Sequence, residues 1–194
     1  MINVRSRFAS AGERNAGLVA GGRQPSLISA TEEYNGSTWS AGGALGTAVY
    51  GNAGFGTQNA AASAGGRITP SSGQVNCTAE YDGSAWSSGG NLITSRFLMD
   101  GAGSQNEGII AGGATPGAQS STEEYDGSTW ASGGSLITGR YYIQVAGTQN
   151  ATIATGGWSN AYQTCAELYN GSSWATGPVT PTQTGTGTAV GTQN

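Results

Sequence analysis

The sequence predicts an all-β protein, in which four four-stranded units surround an axis as a β-propeller and one further terminal strand is left over. Three observations predict this fold: a repeat of 44 to 47 residues, an Asn-Gly or Asp-Gly turn signal in each repeat, and no sustained helical periodicity. Gly contributes 35 of the 194 residues, and Gly is a poor helix former. A unit this small cannot bury an aromatic face alone, so copies stacked around an axis are favoured. A solenoid of stacked hairpins is the main competing fold.

The repeat is defined by four Tyr–Trp pairs, in which the Trp always follows the Tyr by five positions. A Gly-Thr-Gln-Asn motif, or a variant of it, ends each copy. The spacing predicts a single propeller domain over 1–194, made of a lead strand and four repeats: 1–15, then 16–59, 60–106, 107–150 and 151–194. The predicted structural residues of the repeat are Tyr34, Trp39, Tyr81, Trp86, Tyr125, Trp130, Tyr169 and Trp174.

Each repeat is predicted to contain four strands, b, c, d and a in chain order. Strand b is a run of small and β-branched residues ended by diglycine, as in 107–111, and strand c is exemplified by 121–125. The Asn-Gly or Asp-Gly pair that follows predicts a two-residue type I′ hairpin, which would place Tyr34 opposite Ser37. Strand d carries the Trp. Strand a, exemplified by 96–99, is predicted to form a hairpin with strand b of the next repeat.

The strand count is odd, because sixteen repeat strands and one lead strand make seventeen. Residues 185–190 are one candidate to complete the first unit, which would free residues 2–8 as an arm. Alternatively, the lead strand completes the first unit and the last strand pairs with the edge of another subunit. Four blades is the low end for propellers, so closure between two chains is a further option and a homo-oligomer is expected.

One copy shows the order of residue types most clearly: basic, small, hydrophobic pair, diglycine, Tyr and Trp. In the third copy these residues, with the flanking Glu and Leu, are Arg96, Gly103, Ile109, Ile110, Gly112, Gly113, Glu124, Tyr125, Trp130 and Leu136. This order resembles the kelch repeat, and the resemblance implies a propeller with one kelch-like blade per repeat. The basic position departs from the kelch pattern at Val49 and at Thr184.

The linker and turn strings extend the resemblance. Gly-Thr-Gln-Asn, together with Glu-Glu-Tyr-Asp-Gly-Ser-Thr-Trp at 123–130, is similar to a simplified kelch variant found in long arrays of marine bacteriophage structural and tail proteins. This similarity implies a structural or attachment role in a virion.

The composition excludes several classes of function. The chain has no His and no Lys, and all seven basic residues are Arg. This excludes His-based acid–base catalysis, His metal ligation and Lys Schiff-base chemistry. A formal net charge of −4 with a pI near 4.6 argues against nucleic-acid binding, which needs clustered basic surface. No apolar run is long enough to insert into a membrane. We therefore predict no catalytic residue, no cofactor, no metal and no enzymatic activity.

A set of acidic residues is interpreted as structural. Glu33, Glu80 and Glu124 directly precede their Tyr, and the fourth copy has Leu168 at this position. The prediction is an ion pair with the Arg sixteen residues later, as for Glu80 and Arg96.

The two cysteines are also interpreted as structural. Cys77 and Cys165 each lie four residues before their Tyr, in equivalent positions of non-adjacent units. Such positions should be separated by more than the roughly 7 Å that a disulfide can span. The prediction is a buried position that accepts only small side chains and is filled by Ala30 and Ser121 in the other copies.

The two ends of the units are predicted to differ. The a–b and c–d turns are nearly uniform and should share one end, whereas the b–c loops differ in every copy and should share the other end with the d–a links. Variable loops commonly carry binding. Trp158 and Tyr162 are candidates to stack on a sugar, to anchor a protein or to cap the last unit. The candidate ligand- or partner-binding residues are Arg23, Gln24, Arg67, Thr69, Thr115, Trp158, Asn160 and Tyr162.

The expected function is a non-enzymatic structural or attachment module of a bacteriophage particle, such as a tail, fibre or decoration protein. The expected partners are other virion proteins, further copies of the chain and a host surface glycan. A free lectin-like carbohydrate-binding propeller is the alternative.

Overall fold

The computed structural model describes residues 1–179, which form sixteen strands in four antiparallel four-stranded sheets. This range contains no helix, and so no helix that could cross a membrane. Each sheet follows chain order, and we call the four sheets units 1 to 4. Unit 1 comprises β1 (Ala9–Glu13), β2 (Ala16–Ala20), β3 (Thr31–Tyr34) and β4 (Trp39–Gly42). Unit 2 comprises β5 (Ala53–Thr57), β6 (Ala60–Ala64), β7 (Thr78–Tyr81) and β8 (Trp86–Ser88). Unit 3 comprises β9 (Asp100–Ser104), β10 (Glu107–Ala111), β11 (Thr122–Tyr125) and β12 (Trp130–Ser132). Unit 4 comprises β13 (Gln144–Thr148), β14 (Ala151–Thr155), β15 (Cys165–Tyr169) and β16 (Trp174–Val179).

The first strands of the four units pack together at the centre. β1 contacts β5, β5 contacts β9 and β9 contacts β13, and all four line one shared cavity of about 340 Å³. Their small residues are required by this packing, because a Cβ atom on Gly54 would lie 2.5 Å from the amide nitrogen of Ser10. The arrangement is therefore propeller-like, with Gly and Ala where the strands crowd together.

A chain of backbone hydrogen bonds links the units just before these inner strands. The amide of Gly51 donates to the carbonyl of Arg7 at 2.6 Å. The amide of Leu98 donates to the carbonyl of Gly51 at 2.7 Å, and the amide of Tyr142 donates to the carbonyl of Leu98 at 2.9 Å. All four residues have positive φ, between 55° and 67°, a conformation that is uncommon for residues other than Gly. The guanidinium of Arg7 in turn lies 5.5 Å from the ring centre of Tyr142, which brings units 1 and 4 together.

The hydrophobic core lies mainly between successive units. Between units 2 and 3, Phe55 of the inner strand β5 belongs to the same buried cluster as Met99, Ile110, Tyr125 and Trp130. The Phe55 and Trp130 rings meet edge to face, with centroids 6.0 Å apart. Units 2, 3 and 4 therefore each pack their aromatic pair against the preceding unit.

The predicted two-residue hairpin between the third and fourth strands is wrong. Tyr34 pairs directly with Trp39, so the turn has four residues, of which only Gly36 has positive φ. The cause is the side chain at the first turn position. In unit 3, the Asp126 carboxylate accepts the amides of Ser128 and Thr129 at 2.8 and 2.7 Å, which stabilises a wider loop than type I′ allows.

The predicted bounds of strand a also need correction. In unit 3 this strand is β9, Asp100–Ser104, whereas residues 96–99 precede it. The positive φ of Leu98 interrupts the extended backbone there, and the side chain of Arg96 is directed into the sheet, as described below.

Of the two options for the spare strand, the lead strand completes unit 1, because β1 pairs with β2 along its whole length. Residues 2–8 therefore lead into this strand and are not a free arm. The other candidate, 185–190, lies outside the described residues.

Candidate functional site

The variable loops and the uniform turns lie at opposite ends of the units. At one end, each variable loop pairs with the link that precedes its own unit, as in the bridges Ser6 to Arg23 and Tyr50 to Arg67. At the other end, the two turns of each unit touch, since a Cβ atom on Gly127 would lie 2.9 Å from the Asn106 side-chain oxygen. We call the first end the loop rim.

Two of the predicted binding residues are Arg side chains that reach across the loop rim to the next unit. The Arg23 guanidinium lies 5.9 Å from the ring centre of Tyr50, and that of Arg67 lies 3.5 Å from the ring centre of Phe97. Both Arg residues are partly exposed. They therefore join neighbouring units through cation–π contacts and still present charge to solvent.

The remaining predicted residues divide into exposed polar groups and an aromatic pair. Trp158 and Tyr162 form an edge-to-face pair with centroids 4.8 Å apart, and Tyr162 is 49% exposed. An accessible aromatic pair of this kind suits a sugar ring or an apolar protein side chain. Gln24, Thr69 and Asn160 are exposed, and Thr115 is partly buried.

A second cavity, of about 650 Å³, opens on the axis beside the loop rim and receives residues from all four units. Of the predicted binding residues, only Tyr162 lines it. The polar or aromatic residues of its lining that were not predicted are Ser6, Arg7, Phe8, Ser10, Asn52, Asp100, Tyr142 and Gln144. The volume lies within the usual range for small-molecule sites.

Two polar groups distinguish this axial cavity. Loss of water around the Asp100 carboxyl raises its pKa to about 7, although the amide of Val145 donates a hydrogen bond to it at 2.9 Å. Asn52 donates to the Ser63 hydroxyl at 2.8 Å, but its side-chain oxygen is buried and has no hydrogen-bond partner within residues 1–179. The sequence marks Asn52 in one way: the equivalent positions of the other units hold Phe8, Met99 and Ile143, none of which is polar.

The predicted ion pairs of Glu80 with Arg96 and of Glu124 with Arg140 are wrong, because these Arg residues bind Glu123 and Glu167. Glu33, which has Val49 sixteen residues later, behaves like Glu80 and Glu124. These carboxylates instead accept hydrogen bonds from the Tyr of the following unit. Glu80 accepts from the Tyr125 hydroxyl at 2.6 Å, and Glu33 accepts from Tyr81 in the same way. Burial, followed by the bond to Glu80, raises the pKa of Tyr125 to about 12.

Trp and Gln side chains repeat this connection between units. The Trp130 indole donates to the Thr78 hydroxyl of unit 2 at 2.9 Å. The Gln105 side-chain amide donates to the carbonyls of Ala61 and Tyr81, both at 2.9 Å. All of these donors belong to the later unit and all acceptors to the earlier one.

This interface is not repeated between units 4 and 1. The Tyr34 hydroxyl donates to the carbonyl of Gly36 in its own turn at 2.8 Å, and Trp39 is partly exposed. The acceptor positions of unit 4 hold Ala166 and Leu168 where the earlier units hold Thr and Glu. Within residues 1–179, the unit 1 aromatic face therefore lacks the polar contacts that the other three aromatic pairs make.

Arg5, Arg96 and Arg140, which occupy equivalent positions of units 1, 3 and 4, each form a buried ion pair within their own unit. The nitrogen-to-oxygen distances are 2.5, 2.9 and 2.7 Å for Arg5–Glu32, Arg96–Glu123 and Arg140–Glu167. Glu32 and Glu123 directly precede Glu33 and Glu124 of the acidic set, and Glu167 directly precedes Leu168. Successive strand residues point to opposite faces, so one Glu faces the Arg of its own unit and the next faces the neighbouring unit.

The ion pair is held at both ends by the backbone. In unit 3, Arg96 donates to the carbonyls of Gly112 and Ser121 at 2.9 and 2.6 Å. Burial lowers the pKa of this guanidinium, and the Glu123 charge opposes the effect.

The carboxylate end is bound by two successive amides. Glu123 accepts from the amides of Ile93 and Thr94 at 2.7 and 3.3 Å. Glu167 makes the equivalent pair of bonds in unit 4. In unit 1, burial opposes ionisation of Glu32, but the amides of the equivalent two residues and neighbouring side-chain donors hold its pKa below the usual value.

We predicted that the two cysteines occupy a buried position, and this prediction is wrong. Both thiols are free, Cys77 is exposed and Cys165 is partly exposed. The position favours small side chains because it adjoins the guanidinium: Arg140 lies 3.3 Å from the Cys165 sulfur, and Arg96 lies 2.8 Å from the Ser121 hydroxyl.

Within residues 1–179, no group of three or more His, Cys, Asp or Glu side chains is placed to hold a metal ion. No protein-family model matches this chain, and no curated protein matches it significantly.

Proposed function

We propose that this protein is a non-enzymatic structural or attachment module of a bacteriophage particle, with a kelch-like propeller fold. The observation that carries the proposal is the loop rim. It carries four different loops, two Arg side chains and an accessible Trp158–Tyr162 pair. Beside it opens the axial cavity, which residues of all four units line and to which Tyr162 contributes. This surface is built to contact a protein or a glycan, and the virion assignment rests on the resemblance of the linker and turn strings.

The use of the acidic side chains supports a non-enzymatic role. Three Glu residues bind Arg, and three accept Tyr hydroxyls. Asp82 and Asp126 accept turn amides, and these bonds hold both of their pKa values below the usual range. These carboxylates are occupied by structural contacts and are not paired across a cleft as hydrolytic carboxylates are.

The aromatic face of unit 1 supports a role in assembly. Tyr34 and Trp39 form a tilted pair, with ring centroids 5.2 Å apart and an interplanar angle of 36°. Within the described residues, this pair lacks the acceptors available to the other three pairs. A second copy or another virion protein would cover this face, while the Arg7–Tyr142 contact supports closure of the four blades around the axis.

The test separates the two surfaces. Native mass is measured by light scattering, binding is measured on a glycan array, and purified bacteriophage particles are searched for the protein by mass spectrometry. The Trp158→Ala/Tyr162→Ala variant should lose partner or glycan binding at unchanged mass, and Tyr34→Ala/Trp39→Ala should lower the mass at unchanged binding. A monomer that is absent from particles and binds no glycan would refute the proposal.

A free lectin-like module is the second candidate, and the accessible Trp158–Tyr162 pair beside the axial cavity favours it. A glycan signal that vanishes in Trp158→Ala, from a protein that is not found in particles, would establish this alternative.

A further inference from the structure

Unit 2 departs from the other units at two places in its sequence. Val49 stands at the Arg position and Ala79 at the Glu position, so both members of the buried ion pair are missing together. The variable loop of the same unit is three residues longer than that of units 1, 3 and 4. In the folded protein, Val49, Ala79 and the longer loop lie side by side.

The backbone groups that hold the ion pair elsewhere are retained in unit 2. The amides of Gly46 and Thr47 are equivalent to the two that bind Glu123, and the carbonyls of Gly65 and Cys77 are equivalent to the two that bind Arg96. Within residues 1–179, no hydrogen bond uses either amide or the Gly65 carbonyl. The Cys77 carbonyl accepts only the amide of Gly65, at 2.9 Å.

A cavity of about 390 Å³ occupies this part of unit 2, and all four of these residues line it. Its other walls are mostly apolar and include Leu45, Val49 and Trp86. The extended loop contributes Ile68 and Val75. The site thus has two donors, two acceptors and an apolar wall, at the position that a Glu and an Arg fill in every other unit.

We propose that this cavity binds a small zwitterion with an apolar body, of the class of a free apolar α-amino acid. The carboxylate of the ligand accepts the amides of Gly46 and Thr47, and its ammonium group donates to the carbonyls of Gly65 and Cys77. The two charges must be adjacent, because the Arg and Glu atoms that they replace are 2.5 to 2.9 Å apart. An α-amino acid carries both charges on one carbon.

Charge balance explains why a zwitterion fits better than either ion alone. Gly46, Thr47 and Cys77 are exposed at the mouth of the cavity, so the charged end of the ligand is only partly removed from water. A lone carboxylate or ammonium ion beside the apolar walls would still lack a counter-charge, which is unfavourable. A zwitterion carries its own counter-charge, as the ion pair does in units 1, 3 and 4. The apolar side chain of the ligand lies against Leu45, Val49 and Trp86.

The test is calorimetric titration with L-phenylalanine and L-leucine, compared with phenylalanine methyl ester and N-acetylphenylalanine. The ester lacks the carboxylate and the acetyl compound lacks the ammonium group. Each missing charged hydrogen-bonding group should weaken binding by about tenfold or more. Bound L-phenylalanine should also slow alkylation of Cys77 in a Cys165→Ser background.

Two variants control for the location of the site. Val49→Arg/Ala79→Glu restores the ion pair, and should abolish binding while the circular dichroism spectrum and the melting temperature are retained. Arg96→Val/Glu123→Ala should create a second site in unit 3 and raise the stoichiometry from one to two. If this second variant does not fold, the first still decides the question.

The proposal is overturned if none of the amino acids binds, if the ester or the acetyl compound binds as tightly as L-phenylalanine, or if the folded Val49→Arg/Ala79→Glu variant still binds. Tight binding of a purely apolar probe such as ethylbenzene, without binding of the amino acids, would show a simple hydrophobic cavity instead.

Discussion

The Tyr125 hydroxyl of unit 3 donates a 2.6 Å hydrogen bond to the Glu80 carboxylate of unit 2. The amide of Gly90 donates to the same hydroxyl at 3.2 Å. The equivalent bonds of Tyr81 and Tyr169 make this the recurring polar contact between successive units.

The Tyr125→Phe variant tests this contact. Removing the hydroxyl leaves Glu80 without its donor, and hydrogen bonds to charged groups contribute about 1.5–3 kcal/mol. We expect a loss of this size in the free energy of unfolding, measured with urea. Tyr34→Phe is the matched control, because that hydroxyl reaches only its own exposed turn. A loss in the control as large as in Tyr125→Phe would contradict the assignment.

The Gln of the linker motif provides a second test. Gln105→Ala removes two hydrogen bonds to carbonyls of the preceding unit, and each such bond contributes about 0.5–1.5 kcal/mol. Arg14 occupies the equivalent position in unit 1, is exposed and has no hydrogen bond within residues 1–179. Arg14→Ala should therefore change the free energy of unfolding by less than about 0.5 kcal/mol. Equal effects of the two substitutions on the urea midpoint would argue against the role of Gln105.

The buried ion pair of unit 3 predicts a strongly non-additive pair of substitutions. Arg96→Val alone leaves Glu123 charged and buried, which should cost about 3–5 kcal/mol. Arg96→Val/Glu123→Ala reproduces the Val49 and Ala79 arrangement of unit 2 and should recover most of that loss. A double-mutant cycle from urea unfolding measures the coupling. A double variant that is less stable than Arg96→Val would contradict the expectation.

Asp100 predicts a dependence of stability on pH. Its pKa is raised to about 7 in the folded protein from an ordinary value near 4. Between these values the folded state holds a proton that the unfolded state has released, so the stability contributed by this group falls as the pH rises from 4 to 7. A pKa difference of one corresponds to about 1.4 kcal/mol.

The Asp100→Asn variant removes this titration and retains an acceptor for the Val145 amide. The free energy of unfolding should therefore vary less between pH 4 and pH 7 in the variant than in the parent protein. Urea unfolding at four pH values across that interval measures the difference. Parallel curves for the two proteins would show that Asp100 titrates normally.

The parts of the fold that were predictable from sequence are those with local or periodic signals. The second strands, such as Glu107–Ala111, are bounded by turn and diglycine signals on both sides. The four-residue turn was not predicted, because Asn-Gly and Asp-Gly favour a tight turn unless the first side chain binds the following amides, as Asp126 does.

The partners of the charged residues were harder to predict, because they depend on long-range packing. Arg96 lies 27 residues before Glu123 and only sixteen after Glu80, so proximity in sequence favoured the wrong Glu. The axial cavity was also not predicted, because the residues that line it come from four different repeats and lie far apart in the sequence. Asp100 is unlike its counterparts Ala9, Ala53 and Gln144, and this difference is the only sequence signal that marks it.

The hydrogen bonds that the Tyr, Trp and Gln side chains donate between units all run in one direction, from the later unit to acceptors of the earlier one. During synthesis the acceptors leave the ribosome first. Thr78 and Glu80 are therefore in place before Trp130 and Tyr125 emerge, and each new unit can dock on a finished predecessor. Assembly can proceed from the amino terminus without waiting for the rest of the polypeptide, which limits the time that each aromatic face is open to aggregation.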